Sequence, residues 1–131
     1  MSACYDVYLN AKIKENELNN LLNVLKKRIL KENVSVNYSL ELARNNGLSF
    51  NNITDILSIV FSQRKVNEVK IYNNVLKIQS GFNASYGWEM IMIDTFYDMS
   101  KYLEDNSSLY FDIENEYDYL IVKEGQVIQI H

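Results

Sequence analysis

The residues most able to do chemistry are four evenly spaced acids in the last quarter of the chain: Asp112, Glu114, Glu116 and Asp118. Side chains alternate between the two faces of a strand, so this spacing predicts that Asp112 and Glu114 share one face, opposite the apolar residues between them. Beyond a turn near Asn115, Glu116 and Asp118 are expected to continue the same row. The pattern therefore predicts a line of carboxylates on one side of a sheet.

Such a row of carboxylates is compatible with four kinds of role. The commonest is the solvated side of a one-sided sheet. A metal site requires oxygen ligands that converge in space, and a glycosidase requires two carboxyl groups at a fixed separation. Spacing alone supplies neither geometry, so we expect no bound metal and no cofactor. The fourth role is a negative surface that docks on a basic partner and speeds their encounter.

Two neighbouring groups extend this acidic row into a candidate binding surface. Tyrosines are interleaved with the acids, and Tyr is enriched among residues that anchor interfaces. A predicted helix just before them contributes further acids. We therefore predict a partner-binding surface that contains Asp112, Glu114, Glu116, Asp118, Tyr110, Tyr117, Tyr119, Asp94 and Asp98. Carboxylates can stand in for phosphates, so the expected partner is a basic protein, such as a nuclease or another nucleic-acid-binding protein.

Most conventional catalytic groups are missing from the sequence. The single histidine is His131 and the single cysteine is Cys4, which disfavours Ser-His or Cys-His nucleophile pairs and the usual zinc sites. The four glycines are too scattered for a phosphate-binding loop. We therefore predict that the chain is not an enzyme. The alternative is a small enzyme or ligand-binding domain that works with carboxylates and tyrosines alone.

Two other sets of residues have a less specific reading. The basic residues of the first half form a candidate patch for nucleic acid, but the chain is acidic overall and has no aromatic-basic RNA-binding motif, so direct nucleic-acid binding is not expected. Tyr86 and Trp88 could line a ligand pocket, whereas packing in the core accounts for Trp88 more simply. The apolar stripe of the longest predicted helix could also form a homo-oligomer, although a core explains it without a partner.

Length and composition limit the architecture. With 131 residues, 47% of them hydrophobic, the chain is predicted to form one domain over residues 1–131. No apolar run approaches the ~20 residues of a membrane span, and the first residues do not resemble a secretion signal. One cysteine fits a reducing compartment, so a cytoplasmic location is expected. The net charge of −4 is unevenly spread: residues 89–131 carry ten acidic and only two basic side chains.

Hydrophobic periodicity predicts the elements that must position these residues. The first 80 residues contain a strand at Cys4–Lys14, a helix at Leu18–Ile29 capped by Asn16, a strand at Val34–Leu42, a short helix at Ile53–Val60 capped by Asn52 and Asp55, and a hairpin of Val66–Tyr72 and Val75–Ser80 about Asn73-Asn74. The second half contains a helix at Trp88–Leu103 capped by Ser85, and a meander of Leu109–Glu114, Tyr117–Lys123 and Gln126–Ile130.

The order of these elements is β-α-β-α-β-β-α-β-β-β. Strands joined by short turns pair antiparallel, and the helices are then expected on one face of the sheet. The sequence thus predicts an α+β fold with three helices and a mainly antiparallel sheet of about six to seven strands.

In size, in its acidic C-terminal third around Asp112–Asp118 and in its missing catalytic residues, the chain resembles small acidic α+β proteins encoded by phages and mobile elements. These include anti-CRISPR inhibitors and toxin-immunity proteins. The resemblance implies a non-catalytic inhibitor or adaptor that binds another protein. Together with the acidic surface, it predicts salt-sensitive binding to a basic partner.

Overall fold

A computed structural model describes residues 2–31, 41, 44–45, 47–49, 52–63 and 70–130 of the chain. The described elements are three helices and six strands. In chain order they are β1 Ser2–Lys12, α1 Leu18–Lys31, α2 Ile53–Ser62, β2 Lys70–Tyr72, β3 Val75–Ser85, α3 Trp88–Ser100, β4 Ser108–Ile113, β5 Glu116–Lys123 and β6 Gln126–Ile130.

The strands form one sheet with the order β2-β3-β1-β4-β5-β6, and every neighbouring pair is antiparallel. In the described part of the chain the predicted class is confirmed: α+β, with three helices and an antiparallel sheet. The first four residues of the predicted strand at Val66–Tyr72 lie outside the described residues, as does most of the predicted strand at Val34–Leu42. Within that range only Glu41 belongs to the described residues, and Glu41, Arg44 and Asn45 have helical backbone. The predicted order of elements counts that segment as a seventh strand, which the described residues do not show.

Strand β1 lies at the centre of the sheet, where its strict alternation has the largest consequence. Its odd-numbered residues from Ala3 to Ala11 are all buried, and the even-numbered residues from Cys4 to Lys12 are exposed. The buried side joins the apolar side chains of the three helices in one hydrophobic cluster. The helices therefore cover one face of the sheet, and no described element covers the other face.

Helix α2 has local signals at both of its ends, and α1 has a buried apolar side. The side chain of Asn52 accepts a hydrogen bond from the backbone N–H of Asp55 at 2.8 Å, as the predicted cap requires. Helix α2 then ends at Gln63, whose left-handed backbone (φ 58°) stops the helix. In α1, Leu21 and Leu25 face the core. Asn16, the predicted cap, lies in a left-handed turn with φ 64°, two residues before the helix begins.

Three hairpins are closed by two-residue turns in which both residues have positive φ. Such type I′ turns match the right-handed twist of the strands they join. The turn predicted at Asn73-Asn74 is confirmed, as is the turn that joins the last two strands. The three turns are Asn73-Asn74, Glu114-Asn115 and Glu124-Gly125.

The segment between β3 and α3 differs from the prediction. Strand β3 continues to Ser85 because its whole length pairs with β1, so Ser85 ends a strand and does not cap a helix. Gly87 occupies the N-cap position with φ 104°, a conformation that favours glycine. Trp88 is buried, and its Nε1 donates to the carbonyl oxygen of Val60 at 2.8 Å. Its assignment to the core is confirmed.

Candidate functional site

The register of the β4–β5 hairpin separates the predicted acidic row. Asp112 lies opposite Tyr117, whereas Asp118 lies opposite the buried Phe111. Residues directly opposite each other share a face, so Asp118 and Glu116 lie on the helix side of the sheet and Asp112 on the uncovered side. Glu114 belongs to neither strand, because it is the first residue of the turn. The expectation that the four acids form one continuous row is therefore wrong.

On the uncovered side, Asp112 meets a different acid. The register pairs Asp112 of β4 with Asp6 of β1, so both side chains lie on the uncovered face of the sheet. Asp6 is flanked on its other side by Gly81, where a Cβ would lie 3.1 Å from the Asp6 Oδ1 atom. Asp112 also fixes the neighbouring turn by accepting a hydrogen bond from the Asn115 N–H at 2.9 Å.

Tyrosines surround this pair of aspartates on the same face. Tyr8 pairs with Tyr110, and their ring centroids lie 5.8 Å apart. Tyr110 in turn stacks on Tyr117 at 5.9 Å, and Tyr119 lies opposite Tyr110 on β5. Tyr8 and Tyr117 are 45% and 52% exposed. We call this group the Asp-Tyr surface: Asp6, Tyr8, Tyr110, Asp112, Tyr117 and Tyr119.

The Asp-Tyr surface lacks a cation of its own among the described residues. Three lysines lie on the uncovered side, at the end of the sheet away from Asp6 and Asp112: Lys12, Lys77 and Lys123. Lys12 forms an ion pair with Glu104 at 3.2 Å, and no described ion pair includes Asp6 or Asp112. The uncovered face is therefore acidic at one end and basic at the other.

Glu114 extends the acidic end toward the start of α3. Its Oε2 accepts a hydrogen bond from the Tyr86 hydroxyl at 2.9 Å. This hydrogen bond raises the pKa of the Tyr86 phenol, because only the protonated hydroxyl can donate it to Glu114. Tyr86 is 54% exposed, so it presents an aromatic ring to solvent beside the acids. Sequence reasoning considered Tyr86 only for a pocket with Trp88, which instead points into the core.

The predicted helix acids Asp94 and Asp98 do not join this surface. Both lie on the exposed side of α3, in the helical layer. The guanidinium of Arg28 on α1 contacts both carboxylates, at 3.5 Å to Asp94 and 2.5 Å to Asp98. These ion pairs link α1 to α3. Because Arg28 already neutralises part of their charge, the two acids are less available to a partner.

A second network that sequence reasoning missed lies in the core beneath β1. The Tyr5 hydroxyl lies 2.6 Å from Glu89 Oε2 and 2.9 Å from the Ser85 carbonyl oxygen, and its ring stacks on Phe82. Glu89 also accepts a hydrogen bond from the Gly87 N–H at 2.9 Å, so its carboxylate stabilises the N-terminus of α3. Burial, together with the Glu89 carboxylate, raises the pKa of Tyr5 well above its ordinary value. The alternation of β1 predicts the buried ring but not its acidic partner.

Two searches of the described part of the chain, for metal-ligand clusters and for membrane-spanning helices, found none. No cluster of three or more His, Cys, Asp or Glu residues there could hold a metal ion. Within the same residues, no helix has the length and apolar character needed to cross a membrane. Comparisons with protein-family models, curated proteins and solved structures found no match to the chain.

Proposed function

We propose that this protein is a non-catalytic inhibitor or adaptor that binds a basic protein partner through the Asp-Tyr surface. The observation that carries the proposal is the direct opposition of Asp6 and Asp112 on an exposed face rich in tyrosine. Like charges directly opposite each other destabilise a sheet. A cation placed between them removes that penalty, so the surface gains most from a partner that supplies lysine or arginine.

The tyrosines suit the same kind of ligand. A guanidinium group can form hydrogen bonds with a carboxylate while it stacks on an aromatic ring, and an exposed cation–π contact contributes about 0.5–1 kcal/mol. Tyr110 and Tyr117 place two rings beside Asp112. Each contact is modest, so useful affinity requires several basic side chains that bind together. Arginine-rich surfaces of nucleic-acid-binding proteins, including nucleases, provide such groups.

The charge distribution supports encounter with a partner of this class. The chain has a net charge of −4, and the negative charge is concentrated in its last 43 residues, which carry ten acidic and two basic side chains. An acidic surface accelerates association with a basic protein, and salt screens this attraction. Bound to a groove that normally holds phosphates, the protein would exclude nucleic acid from it. We place this activity in the cytoplasm, where the single thiol of Cys4 stays reduced.

Charge reversal at matched positions tests the proposal. The probe is a fluorescent arginine-rich peptide, and its affinity is measured by fluorescence anisotropy at low and moderate salt. We expect Asp6→Lys to weaken binding by about tenfold, because it places a cation at the centre of the Asp-Tyr surface. The control is Glu116→Lys, an equal change of charge at an exposed residue on the other face of the sheet. Equal losses for the two variants would contradict the proposal.

A further inference from the structure

Strand β6 lies at one edge of the sheet. Within the described residues, β6 pairs only with β5. Natural edge strands commonly carry lysine, proline or a bulge that prevents pairing with another chain. Strand β6 has the sequence Gln-Val-Ile-Gln-Ile, with no charge and no proline, and its exposed side includes Ile128 and Ile130 at 47% and 51% exposure.

The turn before β6 determines which backbone groups point away from the sheet. In a two-residue hairpin the residues that flank the turn form a hydrogen-bonded pair, here Lys123 and Gln126. Hydrogen-bonded and non-hydrogen-bonded pairs then alternate along the ladder, so Ile128 and Ile130 also bond to β5. Val127 and Gln129 consequently direct their N–H and C=O groups toward the outer edge of the sheet, where no described residue pairs with them.

The hairpin that presents this edge is held firmly. The carboxylate of Asp105 accepts hydrogen bonds from the Glu124 N–H at 2.9 Å and the Gly125 N–H at 3.2 Å. These two bonds to the charged form hold the pKa of Asp105 below its ordinary value. Val127 packs against the hydrophobic core on the other side. The outward N–H and C=O groups of Val127 and Gln129 therefore belong to a strand that is already formed.

We propose that β6 pairs antiparallel with β6 of a second copy of this chain, about a two-fold axis at Ile128. In that register Val127 lies opposite Gln129 of the second copy, and Gln129 lies opposite Val127. Both are hydrogen-bonded pairs, so all the outward N–H and C=O groups of β6 find partners in four hydrogen bonds. A shift of two residues in one direction would instead place Gln129 opposite Gly125 in the turn, and in the other direction it would place Val127 opposite position 131, beyond the last residue of β6. The β6 edge is thus most complementary to itself in this one register.

The side chains agree with the register that the backbone selects. Ile128 faces Ile128 of the second copy in a non-hydrogen-bonded pair, where side chains approach most closely. The uncharged strand brings no like charges together, and Ile121, opposite Ile128 on β5, extends the apolar contact. Five paired residues cover far less than the ~800 Å² per partner of a standard interface, so the association is weak. Asp6 and Asp112 lie on β1 and β4, and remain free in the dimer.

Disulfide trapping tests the register directly. In a Cys4→Ser background, which removes the exposed native thiol, Ile128→Cys places two sulfurs within bonding reach, since non-hydrogen-bonded Cα atoms lie about 4.5 Å apart. The control is Gln126→Cys, an equally exposed residue whose copies lie ~13 Å apart in this register. Mild oxidation should cross-link the Ile128→Cys protein about tenfold faster than the control. Equal rates would overturn the proposal.

Sedimentation velocity over a range of concentrations gives an independent test without added thiols. We expect a concentration-dependent dimer that Ile128→Lys weakens by at least about tenfold, because two ammonium groups would face each other across the axis. The control is Ile121→Lys, which introduces the same charge on the same face but one strand away from the edge. A stronger effect of Ile121→Lys than of Ile128→Lys, or a monomer at millimolar concentration for the unmodified chain, would overturn edge pairing.

Discussion

Asp6 on β1 and Asp112 on β4 lie directly opposite each other on the uncovered face of the sheet, although 106 positions separate them in the sequence. Neither residue takes part in a described ion pair. Stability alone does not favour such an arrangement, because a neutral residue at either position would relieve the repulsion. Residues that serve binding are often retained at some cost to stability.

We therefore predict that Asp6→Asn stabilises the protein. Removing one of two opposed charges should raise the free energy of unfolding by about 0.2–1 kcal/mol, measured by urea denaturation. The gain should shrink in high salt, since salt already screens the repulsion. As a control, Asp98→Asn should have the opposite sign, because Asp98 contacts Arg28. A loss of stability in Asp6→Asn would show that Asp6 has a stabilising partner and would remove the main reason for assigning it to binding.

Tyr5→Phe tests the buried network between β1 and α3. The substitution keeps the ring that stacks on Phe82 but removes the hydroxyl that bonds to Glu89 and Ser85. We expect a loss of about 0.5–1.5 kcal/mol in the free energy of unfolding at neutral pH. The matched control is Tyr97→Phe, at an exposed position on α3, which should change stability little. Similar losses in both variants would contradict a specific role for the Tyr5 hydroxyl.

The same residue predicts how stability depends on alkaline pH. The pKa of Tyr5 is raised in the folded state, first by burial and then by Glu89. A group with a raised folded-state pKa contributes its full stability below its unfolded pKa, about 10 for tyrosine, and loses it as the pH rises further. The unmodified protein should therefore lose more stability than Tyr5→Phe does as the pH rises above about 10 toward the raised pKa of Tyr5. Parallel pH profiles for the two proteins would contradict this account.

Asn52→Ala tests the cap of α2. It removes the side-chain oxygen that accepts the Asp55 N–H, and loss of such a cap costs about 1 kcal/mol. The control is Asn23→Ala, at an exposed position inside α1, which should be neutral or slightly stabilising because alanine has the higher helix propensity. Thermal unfolding followed by circular dichroism measures both. If the two variants have the same melting temperature, the Asn52 cap does not stabilise α2.

Local patterns in the sequence were sufficient for most of the fold. Alternation placed β1, and the two-residue turn at Asn73-Asn74 was recognisable because Asn tolerates the left-handed conformation. Segment ends were less accurate. Strand β3 runs five residues past the predicted Ser80, because pairing with β1 along its whole length outweighs the turn-like composition after Ser80. That pairing is a long-range interaction, and a local window does not contain it.

The candidate site was predicted less well, for a reason of geometry. Residues two apart lie on the same face only within one strand. Across a two-residue turn, even-numbered residues of the first strand share a face with odd-numbered residues of the second. Residues 113 and 116 become opposite each other, so Asp112 shares a face with Tyr117 and not with Glu116. Asp6 could not be grouped with Asp112 at all, since only the β1–β4 register brings them together. The tyrosines at 110, 117 and 119 were identified correctly as neighbours of the acids, and their role in binding stays a prediction.

The most direct test of the central claim is an amide NMR titration of the labelled protein with the arginine-rich peptide. If the Asp-Tyr surface binds basic partners, saturable chemical-shift changes should concentrate on Asp6, Tyr8, Tyr110, Asp112 and Tyr117, and salt should suppress them. The amides of α1 and α3 should change little, because their layer lies on the other side of the sheet. Shift changes that centre on the helical layer, or that scatter over all acidic residues without saturation, would contradict the claim.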